Sequence, residues 1–141
     1  MSDALALYQA TIVEHDRHPR NHGPLAGADR AATVDNPLCG DVVTIELRLA
    51  DATIAAAGWT GRGCALARAA GSMLTVALAG LDATAAAARL DALEALVRST
   101  PDAPVPDGLG DLAAFAGVRG FASRRGCVLI AVRAARACLS G

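Results

Sequence analysis

Three of the four cysteines in this sequence, together with one aspartate, have the residue types and settings of metal ligands. Cys39 and Asp41 stand two residues apart in residues 36–41 (NPLCGD), at the entrance to a strand pattern. In an extended backbone such residues point to the same side, and Gly40 allows a bend that lets both side chains reach one atom. This turn therefore provides half of a candidate metal site.

The other two candidate ligands also lie at the entrances to predicted elements. Cys64 follows the glycine-broken residues 61–63 (GRG), and Cys127 follows residues 124–126 (RRG) at the predicted start of the last helix. A helix N-terminus stabilises a thiolate, and glycine lets the backbone come close. The alternative is that these cysteines are small apolar side chains in a core. Their shared position at element entrances favours ligands.

Three thiolates and one carboxylate form a donor set suited to tetrahedral zinc, although thiolate-rich sites also hold iron-sulfur clusters. The intervals between the three cysteines are 25 and 63 residues, unlike the short C-x-x-C pairs of closed structural zinc sites. Aspartate is a harder and more easily displaced ligand, which is typical of a site that opens. The set leaves zinc with surplus negative charge, and Arg62, Arg124 and Arg125 are placed to balance it.

The fourth cysteine and the histidines are weaker ligand candidates. Cys138 lies eleven residues after Cys127, which puts it about 16 Å further along a helix, so we predict that it is structural. Three histidines lie within eight residues: His15, His18 and His22. Pro19 interrupts the helix pattern between them, so no fixed helix face holds them together.

Composition predicts one domain over residues 1–141. A hydrophobic content of 53% is sufficient for a core, and a net charge of -1 with a pI near 6.3 favours neither nucleic acid nor a membrane surface as a partner. An acid near the N-terminus, no cleavage site and only short apolar runs predict neither export nor a membrane span. We expect a cytoplasmic protein, where cysteines are typically thiols or metal ligands rather than disulfides.

The elements that must position the ligands follow from hydrophobic periodicity. Alternation over residues 42–49 predicts a strand with one buried face, and a turn at residues 51–52 predicts an antiparallel partner strand that delivers the Cys64 loop to the Cys39 end of the sheet. We therefore predict an α+β fold in which helices pack on one face of a small antiparallel sheet. The predicted segments are a helix over 4–18, a sheet region over 31–60, helices over 64–98, a connection over 99–110 with a short helix over 109–116, and a C-terminal helix over 127–139.

Several segments resemble the IscU/NifU/SufU family of iron-sulfur cluster assembly proteins, and the resemblance covers nearly the whole chain. The matching segments are residues 36–41, residues 61–65 (GRGCA), residues 69–73 (AAGSM), Tyr8, His15 and residues 19–23 (PRNHG). The SufU branch is resembled most closely, because of the long stretch between Cys64 and Cys127, residues 121–127 (FASRRGC), and Gly126. Scaffold-type members carry a histidine at the position of Gly126.

The SufU resemblance implies a zinc-dependent sulfurtransferase of iron-sulfur cluster biogenesis. It implies the zinc ligands Cys39, Asp41, Cys64 and Cys127, with Cys39 as the sulfur acceptor and Arg124 close to the site. The implied partners are a SufS-type cysteine desulfurase and downstream iron-sulfur assembly proteins. In the implied mechanism a histidine of the desulfurase displaces Cys39 from zinc, and the freed thiolate attacks the enzyme persulfide.

The sequence leaves two alternatives open. The same four ligands could hold a [2Fe-2S] cluster in an assembly scaffold, which the absence of a histidine at Gly126 argues against. A zinc-stabilised module could also regulate the desulfurase without carrying sulfur. Some positions depart from the family pattern and bear on partner recognition more than on ligation: Ala67, Arg68, Ala122 and Val132.

Overall fold

Three antiparallel strands form one sheet, in which the strands lie in the order of the sequence. A computed structural model of the chain describes residues 9–38 and 40–140. The strands are β1 (Arg30–Asn36), β2 (Asp41–Ala50) and β3 (Thr53–Arg62). The helices are α1 (Ala10–Arg17), α2 (Ala65–Leu78), α3 (Ala83–Arg98), a 3-10 helix (Gly110–Val118) and α4 (Ala122–Ser140). The predicted α+β class is confirmed.

The central strand β2 has the predicted alternation. Val43, Ile45 and Leu47 are buried, and the residues between them are only partly buried. The pairing of β2 with β3 shifts register between Arg48 and Leu49, and beyond that point Leu49 is half-buried rather than buried. A strand with one dry face explains why the helices gather on a single side of the sheet.

The two hairpins bring the end of β1, the start of β2 and the end of β3 together at one end of the sheet. Asn36 pairs with Asp41 across the first hairpin, and Val42 pairs with Arg62 across the second. The predicted turn at residues 51–52 lies at the opposite end, where Asp51 has a φ of 55°. The loop after β3 therefore begins beside the start of β2, as the predicted hairpin requires.

Helices α2 and α4 pack on the buried face of the sheet, and this confirms the predicted layering. The approach of α2 is unusually close at Trp59, which lies opposite Ile45 in the sheet and is 1% exposed. A Cβ atom added to Gly71 of α2 would stand 2.7 Å from the indole ring, so this position requires glycine. In the part of the chain that is described, every helix is too short or too polar to cross a membrane.

Helix α1 and the segment after it are fixed by a buried polar cluster. His15 Nδ1 lies 2.6 Å from Ser72 Oγ, which also accepts a hydrogen bond from the amide of Arg20 at 2.9 Å. The carbonyl of Arg20 accepts a hydrogen bond from Trp59 Nε1 at 2.8 Å. Burial and the charge of Arg20 lower the pKa of His15, which favours the neutral ring. Residues 4–8 of the predicted first helix lie outside the described residues.

The last helix begins five residues before its predicted start. It runs over Ala122–Ser140 rather than 127–139, because Gly126 lies inside the helix and does not break it. Cys127 is therefore in the second turn of α4. The prediction that a helix N-terminus stabilises its thiolate is wrong, because that effect fades within the first turn.

Two arginines connect parts of the helical layer through hydrogen bonds. Arg119 donates to the carbonyl of Ala103 at 2.7 Å and so anchors the connection over residues 99–110. Arg136 of α4 donates to Asp91 at 2.7 Å and to Glu94, both on α3. These contacts fix the position of α4, and with it the position of Cys127.

Candidate metal centre

Asp41, Cys64 and Cys127 bring three candidate ligand atoms together at one end of the sheet. One carboxylate oxygen and two sulfur atoms all lie within 4.8 Å of one another. Asp41 and Cys127 are 3% and 2% exposed, whereas Cys64 is half-buried. The three residues come from β2, the loop after β3 and α4. The group therefore exists only when the sheet and α4 are packed together.

The carboxylate of Asp41 is oriented by the backbone of the Cys64 loop. Its Oδ1 accepts a hydrogen bond from the amide of Cys64 at 3.2 Å, and its Oδ2 lies 3.8 Å from Cys64 Sγ. Because one oxygen is occupied by the amide, the other is directed toward the sulfurs. A single side chain thus links the loop to the start of β2.

Gly63 makes this close approach possible. A Cβ atom at Gly63 would stand 2.5 Å from Asp41 Oδ1, far inside van der Waals contact. At Gly61 an added Cβ would overlap the carbonyl oxygen of Val42. The GRG sequence indicates a flexible loop, but only the folded contact shows that Gly63 makes room for a carboxylate.

Cys127 lies in a buried environment next to two other acidic groups. Burial raises the pKa of the Cys127 thiol, and the neighbouring Cys64 and Asp41 raise it further. Its Sγ also lies 3.8 Å from the carbonyl oxygen of Ser123, one helical turn earlier. Zinc with Zn–S bonds of about 2.3 Å places two tetrahedral sulfurs about 3.8 Å apart, which the observed donor spacing accommodates. The three residues therefore fit a zinc ion by spacing and donor type.

Cys39, the fourth predicted ligand, lies outside the described residues. Its two neighbours in sequence are both tied to Asn36. The amide of Leu38 donates to Asn36 Oδ1 at 3.1 Å, and the amide of Gly40 donates to the Asn36 carbonyl at 2.8 Å. The turn that contains residue 39 therefore connects β1 directly to Asp41, the first residue of β2.

The three predicted counter-charges lie close in sequence to Cys64 and Cys127. Arg62 is exposed at the end of β3. Arg124 is half-buried in the first turn of α4, where its amide donates to the carbonyl of Phe121 at 2.9 Å. Arg125 also lies in that turn, and its buried Nε has no hydrogen-bond partner among the described residues.

The weaker ligand candidates lie elsewhere. Cys138 is buried with its Sγ 3.1 Å from the carbonyl oxygen of Ile45, and burial raises the pKa of its thiol to about 11. The ring of His22 stacks on Trp59 with 4.4 Å between ring centroids. Within residues 9–38 and 40–140, the candidate metal group contains neither Cys138 nor any histidine.

We expect Cys138→Ser to leave the metal content of the protein unchanged. The serine hydroxyl retains a donor for the Ile45 carbonyl. The free energy of unfolding should therefore fall by only about 1 kcal/mol. Zinc analysis and urea unfolding of the purified variant measure both effects. Loss of metal from this variant would show that Cys138 belongs to the site.

The family model of the NifU-like N-terminal domain matches residues 7–128. The chain belongs to this family, and the family predicted from the sequence is confirmed.

Relatives within the family carry two different functional names. The chain is 32% identical over 125 residues to the iron-sulfur cluster assembly scaffold protein IscU of Streptococcus pyogenes, covering 89% of this chain and 77% of that protein. It is 30% identical over 128 residues to the zinc-dependent sulfurtransferase SufU of Bacillus subtilis, covering 91% of this chain and 86% of that protein. A crystal structure of the N-terminal part of a NifU-like protein from Brucella abortus superposes with a TM-score of 0.88 at 28% identity, covering 99% of this chain and 96% of that one.

Proposed function

We propose that this protein is a zinc-bound sulfurtransferase of iron-sulfur cluster biogenesis. In this proposal Cys39 accepts persulfide sulfur from a SufS-type cysteine desulfurase and passes it to downstream assembly proteins. The ligands are Cys39, Asp41, Cys64 and Cys127. The observation that carries the proposal is the convergence of one carboxylate and two cysteine sulfurs beside a turn whose remaining donor is a cysteine.

We favour zinc over a cluster because position 126, where scaffold-type family members carry a histidine, is a glycine. The number of donors does not decide between them, since a tetrahedral zinc ion and a [2Fe-2S] cluster each take four protein ligands. Asp41 has one oxygen engaged by the Cys64 amide, which leaves one oxygen for a metal. Gly126, immediately before Cys127, supplies no donor to the site. These features support a single-ion site.

Sulfur transfer to Cys39 balances without a further reactant. The Cys39 thiolate attacks the outer sulfur of the desulfurase persulfide, forming one S–S bond while the S–S bond within the persulfide breaks. The desulfurase cysteine leaves as a thiolate, so no net oxidant or reductant is needed. Bound zinc supplies stabilisation of the thiolates at neutral pH. A reducing compartment such as the cytoplasm keeps these thiols from forming disulfides.

The chain's own residues prepare this reaction. The carboxylate of Asp41 accepts a hydrogen bond from the amide of Cys64. Asn36 accepts hydrogen bonds from the amides of both neighbours of Cys39. We assign Arg124 the role of balancing negative charge, because it precedes Cys127 by one turn in α4. An arginine there also suits an approaching anionic persulfide.

An assembly scaffold is the second candidate, because the S. pyogenes relative of that name is 32% identical to this chain. A scaffold would hold iron and sulfide on the same donors and transfer an intact cluster. A sulfurtransferase would hold zinc and carry sulfur on Cys39.

The deciding experiment measures the metal and the sulfur on one preparation. We expect about one zinc per chain, little visible absorbance and no acid-labile sulfide. After incubation with a SufS-type desulfurase and cysteine, the Cys39 peptide should gain the mass of one sulfur atom. A brown protein with equal iron and sulfide, whose cluster moves intact to an apo-acceptor, would establish the scaffold instead.

A further inference from the structure

A cavity of about 150 Å³ lies between helix α2, helix α3 and the start of the 3-10 helix. Its walls are largely apolar and include Met73, Val76, Leu109 and Leu112. Met73 follows Cys64 by nine residues on α2, which is about 13 Å along the helix axis. The cavity is therefore distinct from the candidate metal centre.

Two side chains of opposite charge line this cavity without contacting each other. Arg89 of α3 is half-buried and makes no hydrogen bond or ion pair with any residue that the structure describes. Asp111 is exposed in the first turn of the 3-10 helix, and within the described chain no ion pair joins it to Arg89. The space between these charges suits a ligand that carries one charge of each sign.

His15 supplies a third polar group to the cavity and is only 6% exposed. Its Nδ1 lies 2.6 Å from Ser72 Oγ, so Nε2 is the ring nitrogen left for a ligand. Burial and the charge of Arg20 lower the pKa of His15, whereas the charge of Asp111 opposes them and so acts on the ring. A neutral ring adds a hydrogen-bonding group without adding charge, so the ligand should have no net charge.

We propose that this cavity binds a small neutral α-amino acid in its zwitterionic form. The guanidinium of Arg89 takes the carboxylate, and the carboxylate of Asp111 takes the ammonium group. His15 Nε2 adds a hydrogen bond, while Met73 and Leu112 contact a short side chain. A cavity of about 150 Å³ is large enough for benzene, so the ligand has about six non-hydrogen atoms, as glycine, alanine and serine do.

This inference is tested by titrating the purified full-length protein with L-alanine and following the backbone amides by NMR. We expect saturable shifts of the amides of residues 109–112 and no shift at Cys64 or Cys127. Propionate lacks the ammonium group and ethylamine lacks the carboxylate. Each should bind about tenfold more weakly than alanine or worse, because one charged partner in the cavity stays unpaired.

Variants on opposite walls locate the binding site. Arg89→Gln and Asp111→Asn should each weaken alanine binding about tenfold or more, and neither should disturb folding because both side chains reach the surface. The matched controls are Arg133→Gln and Asp107→Asn, which change exposed residues of the same types outside the cavity. Both controls should bind alanine as the native protein does.

Three outcomes would overturn this inference. The first is that none of glycine, alanine and serine produces saturable shifts in the native protein. The second is that propionate or ethylamine binds as well as alanine, which would rule out recognition of a zwitterion. The third is that Arg89→Gln and Asp111→Asn bind alanine as their controls do. None of these results bears on the proposed function, because the cavity contains no candidate metal ligand.

Discussion

Cys39→Ala is expected to reduce the stimulation of a SufS-type cysteine desulfurase to the level measured without this protein. The substitution removes the nucleophile that accepts sulfur. Cys127 and Cys138 are each 2% exposed, and the half-buried Cys64 belongs to the proposed metal group, so none of these thiols is available to replace it. Alanine released from cysteine per minute measures desulfurase turnover directly. The effect should be complete even if Asp41, Cys64 and Cys127 retain some zinc.

The matched control for Cys39→Ala is Cys138→Ala, which removes a thiol that makes no contribution to the metal group. Stimulation by this control should equal that of the native protein. If Cys39→Ala still binds the desulfurase and stimulates it fully, the sulfurtransferase proposal is wrong. A zinc-stabilised regulatory module would then explain the activity.

The sheet was predictable from local sequence because every second residue of its central strand is apolar and faces the core. Val43, Ile45 and Leu47 point inward, and a turn at residues 51–52 fixes the direction of the returning strand. A pattern of this kind needs no knowledge of distant contacts. It was sufficient to predict that Asp41 and Cys64 lie at the same end of the sheet.

The start of α4 was not predictable in the same way. The last helix was predicted to start at Cys127, directly after Gly126, yet Gly126 lies inside the helix. The contact that explains it, with the side chain of Asn36, joins residues 90 positions apart in sequence. Cys127 lies in the candidate group, although it is in the second turn of α4 and not at the helix N-terminus.

The contacts that shape the site depend on tertiary packing. A requirement for glycine at position 63 follows from the carboxylate of Asp41, which lies where a side chain would be. The sequence shows the glycine and the aspartate but gives no measure of their distance. Residue types can predict the ligands, whereas the residues that hold those ligands in place are identified only from the folded structure.

Cys64→Ser and Cys127→Ser are each expected to lose zinc and much of the stability of the fold together. The ligands come from the loop after β3 and from α4, so a metal ion would join two parts of the fold. The binding free energy of structural zinc is about 10–16 kcal/mol in small zinc domains, and part of it is folding free energy. Removing one ligand should therefore lower the free energy of unfolding by about 3 kcal/mol or more, a large part of the usual total.

Thermal unfolding with and without a chelator measures this effect and separates it from ordinary packing loss. The native protein should lose about 10 °C or more in Tm when EDTA removes the metal. Each serine variant should begin near that lower Tm and show no further change with EDTA. Cys138→Ser is the matched control, because it alters a buried thiol outside the group and should retain the full response to EDTA. Full zinc occupancy and an undiminished EDTA response in Cys64→Ser or Cys127→Ser would remove that residue from the site, since the loss of a ligand should weaken zinc binding.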